Sequence, residues 1–100
     1  MLNWARVNEL KDDLGEDDFY EITSLFLDEV EEKLAELSCQ TPDAFAAGLH
    51  FLKGSAANLG FESFRALCDE MENTPDVAQL GDLLTLYQQS KSVFLEGLQD

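Results

Sequence analysis

Histidine occurs once in this sequence, at position 50, and cysteine twice, at positions 39 and 68. That scarcity excludes a His/Cys zinc cluster, which needs four such ligands at characteristic spacings. Basic residues are nearly as sparse: six lysines and arginines stand against 21 acidic residues, for a net charge of −15. A chain so charged is repelled by nucleic-acid phosphates and by anionic membrane surfaces, so its partners are expected to be proteins with neutral or basic docking patches. No segment approaches the roughly 18 uninterrupted apolar residues of a membrane helix. The opening stretch MLNWARVNEL lacks the continuous apolar core of a signal peptide. Nothing in it looks secreted, so reduced thiols and a cytoplasmic location are expected, although a single Cys39–Cys68 disulfide is compatible with the sequence. Alternating strand patterns bounded by hairpin turns are also missing.

What is present is helical periodicity at an apolar content of 45%, ample for a folded core, in a chain whose 100 residues suit one domain spanning 1–100. Trp4, Val7, Leu10 and Leu14 recur at steps of three and four, predicting a short first helix closed near Gly15. Phe19, Ile22, Phe26, Val30, Leu34 and Leu37 mark one face of a long helix from Asp17 to Ser38, whose other face carries Asp28, Glu31, Glu32 and Glu36. Thr41 and Pro42 form a cap and first position for a third helix running to Leu59, with Gly60 as its stop. A fourth helix starts near Glu62 and places Phe64, Leu67, Cys68 and Met71 on one side. Thr74 and Pro75 break it, and a last helix follows from about Asp76 to Leu98. That helix bears Val77, Leu80, Leu84, Tyr87, Phe94 and Leu98, with Lys91 interrupting the stripe. The expectation is an all-α fold: an antiparallel four-helix bundle with a short additional N-terminal helix.

The lone histidine sits in LHFLKGSAANLG, Leu49 to Gly60. On a helical wheel, Phe45, Leu49, Leu52, Ala56 and Leu59 share one narrow arc, and His50 lies about 140° from its centre. Its neighbours on that outer side are Ala46, Ala47, Lys53, Gly54 and Ala57. A lone surface histidine usually has no function, but three features count against that here. Gly54 occupies a mid-helix position where glycine costs roughly 1 kcal/mol relative to alanine. Small residues surround the imidazole. None of the 21 acids lies between Ala44 and Phe61, where Lys53 is the only charged side chain.

Imidazole is a nucleophile near neutral pH and can carry a phosphoryl group on a ring nitrogen. Adjacent carboxylates would repel that group, a lysine three residues on can reach its oxygens, and a glycine four residues on leaves room for a donor's active site. Ser55 lies about 140° round the helix from His50, which argues against a hydrolytic triad. A helical adaptor that is never phosphorylated is the main rival reading, and the pairing of His50 with Lys53 speaks against it. A general-base enzyme lacks a pocket-forming acid or Gly-rich loop, and a kinase dimerisation domain would be followed by an ATP-binding domain.

The run HFLKGSAANLG resembles the signature of histidine-containing phosphotransfer (HPt) domains: His, two residues, Lys-Gly, a small residue, and a Gly about ten positions on. LGEDDFYEITSLFLDEVEEKLAEL and FRALCDEMEN resemble the helices before and after the site, so the likeness covers nearly the whole chain. The resemblance implies a four-helix bundle whose histidine shuttles phosphoryl groups between receiver-domain aspartates. On it, His50 is the phosphoacceptor, through its distal ring nitrogen. Lys53 steadies the phosphoryl group, and Gly54 keeps the site open. Leu49 departs from the alanine of many members, and Phe51 is bulkier than usual, serving either as semi-buried packing or as a docking residue. Docking is expected through Ala46, Ala47, Phe51 and Ala57. No cofactor or metal of its own is expected, since the nearby acids are absent. The receiver would bring Mg²⁺ and the acceptor aspartate. The partners implied are response-regulator receiver domains and a hybrid sensor histidine kinase, met by a monomeric, stand-alone protein.

Overall fold

A computed structural model describes residues 2–37, 42–73 and 79–99. Five helices account for nearly all of them: α1 (Trp4–Leu14), α2 (Glu16–Leu37), α3 (Pro42–Leu59), α4 (Glu62–Asn73) and α5 (Leu80–Gln99). This is the all-α bundle expected. The expected caps Thr41 and Thr74, together with Ser38, Cys39, Pro75, Val77 and the side chain of Leu98, lie outside the described residues. The bundle measures 39 × 20 × 18 Å, and its long dimension is close to the roughly 33 Å of a 22-residue helix such as α2.

Local chemistry explains the helix ends. Asn3 caps α1, its side chain accepting from the Arg6 N–H at 3.2 Å. Glu16, Asp17 and Asp18 place negative charge at the positive end of α2. Gly60 ends α3 at φ +79°. The Phe61 N–H reaches back to the Ala56 carbonyl at 2.9 Å, and the Gly60 N–H to that of Ala57 at 3.4 Å, a Schellman closure. Gly60 is doubly required. Besides its positive φ, a Cβ there would lie 2.8 Å from the Asn3 carbonyl oxygen. The chain comes that close because the Asn3 N–H donates to the Gly60 carbonyl at 2.7 Å, which pins the start of α1 to the α3–α4 turn.

The core has an aromatic spine. Phe61 meets Phe94 edge-on at 5.3 Å between centroids, and Phe64 meets Tyr87 at 5.5 Å. Such pairs contribute beyond the area they bury. The buried Tyr87 hydroxyl donates to Glu31 Oε2 at 2.8 Å, and the Lys91 ammonium donates to the same oxygen at 2.7 Å. Lys91 therefore completes the α2–α5 seam and does more than interrupt an apolar stripe.

Several details differ from the sequence expectation. Leu83, not Leu84, is the buried leucine of its pair, and Leu84 remains 40% exposed. Buried Ser90 joins Leu83, Tyr87 and Phe94 on that face. On α2, Ile22 and Phe26 are only half-buried, while Thr23 and Leu27 are buried. Thr23 tolerates burial because its hydroxyl donates to the Phe19 carbonyl at 2.8 Å. Trp4 also stays at the surface, stacked on Phe94. The boundary of α2 falls one residue earlier than expected, at Glu16.

Candidate functional site

Helix α3 divides into two faces as its periodicity predicts. Phe45, Leu49, Leu52, Ala56 and Leu59 are all buried, which fixes the rotation of the helix and turns His50 outward. The His50 side chain is 71% exposed. Around it, Ala47, Gly54 and Ala57 are exposed and Ala46 is half-buried. A Cβ added to Gly54 would meet nothing within 4 Å beyond its own turn of helix. The glycine is therefore not required by packing within the chain, and open solvent lies over it. Ser55 is buried, away from this outer face.

The acid-free surface expected around His50 is not what the fold builds. The window from Ala44 to Phe61 is free of acids along the chain, but α4 packs beside α3 and brings two carboxylates across. His50 Nδ1 lies 2.9 Å from Glu72 Oε1. Lys53 Nζ donates to Asp69 Oδ1 at 3.3 Å and lies 2.8 Å from Glu72 Oε2. That Glu72 oxygen is shielded from solvent, and the Lys53 ammonium at 2.8 Å is its ionic partner. Glu72 thus bridges the histidine and the lysine. Sequence reasoning missed both Glu72 and Asp69, although a signal was there. In an antiparallel helical hairpin, residues equally distant from the turn face each other. The His50–Glu72 and Lys53–Asp69 pairs, separated by 22 and 16 residues, are both centred on Phe61.

These contacts set the local electrostatics. The Lys53 ammonium holds the Glu72 carboxyl below the usual carboxylate range, and the bond from His50 adds to the effect. Reciprocally, Glu72 and, to a smaller degree, Asp69 raise the Lys53 ammonium above its ordinary value. An ionised carboxylate can only accept, so the hydrogen between the ring and Glu72 resides on Nδ1. Nε2 then carries the free lone pair whenever the ring is neutral. Directly beneath, buried Cys68 is a free thiol, and burial pushes it up to about 12, which makes it unreactive packing.

The opposite flank of α3 is different. Phe51, one residue past His50, is 40% exposed. Its ring faces the α2 edge, where Lys33 Nζ stands 5.4 Å from the ring centroid. Glu29, Glu32, Lys33, Glu36 and Phe51 line a groove of about 320 Å³ between the two helices. Among the described residues, the carboxylate paired with Lys33 is Glu36 Oε2, at a loose 3.5 Å. At 40% exposure Phe51 counts among the exposed large apolar side chains, at the border between the packed and the open side of α3.

Among the described residues, no helix is long and apolar enough to cross a membrane. The Hpt domain model matches residues 21–93, from the first turns of α2 to the last turns of α5, leaving α1 outside the match. No curated protein and no solved structure matches the chain. Hpt domains are phosphocarrier modules, not catalysts. They take part in histidine phosphotransfer within phosphorelays and interact with response-regulator receivers. With a match across most of its length, on a helical bundle that turns one histidine out to solvent, this chain belongs to the Hpt domain family.

Proposed function

We propose that His50 is the phosphoacceptor of this domain, and that it relays a phosphoryl group between receiver-domain aspartates in a two-component phosphorelay. The observation that carries this reading is the 2.9 Å contact between His50 Nδ1 and Glu72, on a ring otherwise open to solvent. The Nδ1–H is anchored, so Nε2 is the atom presented to a partner. Its lone pair attacks the phosphorus of a phosphoaspartate in line. The P–Nε2 bond forms, the P–O bond to the aspartate breaks, and the electron pair leaves with the aspartate carboxylate. Positive charge spreads over the ring as Nε2 gives up its lone pair, and the Glu72 carboxylate at Nδ1 stabilises it. Return of the group to a second aspartate is the same step reversed.

Lys53 and Gly54 have separate parts. Lys53 is held between Asp69 and Glu72 before transfer, and a phosphoryl group on Nε2 competes with those carboxylates for its ammonium. Gly54 keeps the next turn free of side chain, so that the receiver's acidic pocket can close over the ring. Ala46, Ala47 and Ala57 supply the low apolar surface for that approach, with Phe51 at its edge. Asp69 and Glu72 are committed to Lys53 and His50, so we assign Mg²⁺ to the receiver, along with the acceptor aspartate. A hybrid sensor histidine kinase as the upstream source, a monomeric carrier and a cytoplasmic location complete the reading.

The test is direct. Receiver domains of the source organism are phosphorylated with acetyl phosphate and mixed with the protein. Acid-labile, base-stable label is expected on the wild type and none on His50→Gln. Label that survives the substitution, or failure with every receiver, overturns the reading.

A further inference from the structure

The groove on the α2 side of His50 holds three carboxylates, an exposed aromatic ring and one ammonium already over that ring. We infer that this groove is the receiver's anchoring site, and that it takes a cationic side chain of the receiver, arginine above all, onto the Phe51 ring in place of Lys33. The inference rests on the relay reading, and adds to it the part of the partner that the free protein already imitates.

Three observations carry it. First, the groove binds a cation in the free protein: Lys33 Nζ stands 5.4 Å from the Phe51 centroid, within the range at which a ring quadrupole attracts an ammonium. Second, that cation is weakly retained. Among the described residues its carboxylate contact is 3.5 Å long and formed within its own helix, whereas Lys53 on the other flank is held by two carboxylates of a neighbouring helix at 2.8 and 3.3 Å. A long lysine side chain with one loose partner is easily displaced. Third, Glu29, Glu32 and Glu36 are exposed around the ring and outnumber the single ammonium, so the groove stays complementary to added positive charge. A guanidinium suits it better than a second ammonium, because its plane stacks on the ring while its fork reaches a carboxylate. Phe51, the next residue of α3, points about 100° round the helix from His50, so the groove borders the His50 face on its α2 side. A receiver seated over His50 reaches it by extending across that edge.

Binding of the unphosphorylated receivers that label wild-type His50 is measured by titration calorimetry, with labelling at saturating receiver recorded alongside. Phe51→Leu keeps the apolar bulk but removes the ring face, and is expected to weaken association about fivefold. Lys33→Met removes the internal competitor and is expected to tighten it about twofold to fivefold. In the double variant the gain from Lys33→Met disappears, because there is no ring left to vacate. Labelling of His50 at saturating receiver is expected to stay at the wild-type level in Lys33→Met, and circular dichroism confirms an unchanged helix content in every variant. If the wild type is labelled but neither single variant shifts affinity, the anchoring site is overturned while the relay stands. If no receiver labels the wild type, the relay reading falls, and the assignment of this groove to a receiver falls with it. A second copy of the chain as occupant predicts concentration-dependent mass in sedimentation, an outcome that also overturns the proposal.

Discussion

The two flanks of α3 are built from the same residue types and do opposite things with them. On the α4 flank, a lysine, two carboxylates and a histidine close into a network in which Glu72 touches both the histidine and the lysine, and the packing of α4 holds it in place. On the α2 flank, a lysine and three carboxylates surround an aromatic ring, and the one ion pair spans a single helical turn at 3.5 Å. Both flanks carry more negative than positive charge. One uses its carboxylates to orient an imidazole, the other leaves them facing solvent. The lesson is that net charge near a histidine says little about its chemistry. What matters is whether each carboxylate is already engaged. On the proposed reading, the α4 flank sets the rate of group transfer and the α2 flank sets association.

The largest expected effect comes from the ridge between them. Gly54→Glu puts bulk and negative charge where now no atom lies within 4 Å of a Cβ. It is expected to abolish transfer to and from receivers while leaving helicity intact. Quench-flow labelling and circular dichroism together check this, and normal transfer would mean that the open face is not the contact face. Next comes the α4 flank itself. Glu72→Ala removes the carboxylate that bonds Nδ1 and steadies the positive charge growing on the ring, so a slowing of about tenfold at saturating receiver is expected. The affinity for the receiver changes little. A loss seen in affinity instead of rate would erase the division of labour between the flanks.

How much of this could be read from the chain differs by element. The face of α3 was legible because one helix's periodicity is a local property. Leu49, Leu52, Ala56 and Leu59 repeat at helical steps, and burial follows from that alone. The Gly60 stop was legible for the same reason. Leu83 and Leu84 were not separable, because adjacent leucines point about 100° apart and either can continue a stripe. Their order was set by which face of α5 meets the aromatic spine. Thr23 escaped notice because a hydroxyl satisfied by its own helix can be buried without any apolar signature. The acidic wall was missed because it is tertiary. A stretch without acids is no guide to the charge around it once another helix packs alongside, and only the symmetry of α3 and α4 about their turn brings Glu72 to His50. Phe51 was ambiguous between packing and docking because it sits at the boundary between faces.

A smaller effect separates structural from functional glycine. Replacing Gly54 by Ala meets no atom and removes the glycine penalty in a helix, so the isolated domain is expected to gain up to about 1 kcal/mol of stability. Denaturant melting measures this. A loss of stability would show that the space over Gly54 has a role within the fold.

The smallest effect is the pH dependence of the α4 network, and its sign follows from the two shifted groups. The folded-state value of Glu72 is lowered by Lys53. Its contribution to stability is therefore present above the ordinary carboxylate value, and is lost as pH falls through the lowered one. The value of Lys53 is raised by Glu72, so its contribution is present below the ordinary lysine value and lost as pH rises through the raised one. Between these limits the network is intact. The melting-temperature gap between wild type and Glu72→Gln should thus form a plateau across neutral pH, close on the acid side below the normal glutamate range, and close again in strong alkali. Lys33→Met on the α2 flank should show no such plateau, because its ammonium lies over a ring that does not titrate and has only one loose carboxylate contact. Two matching profiles would mean that the flanks are electrostatically alike. A plateau confined to the α4 variant would tie the orientation of His50 to a carboxylate that stays ionised throughout the pH range in which phosphoryl transfer occurs.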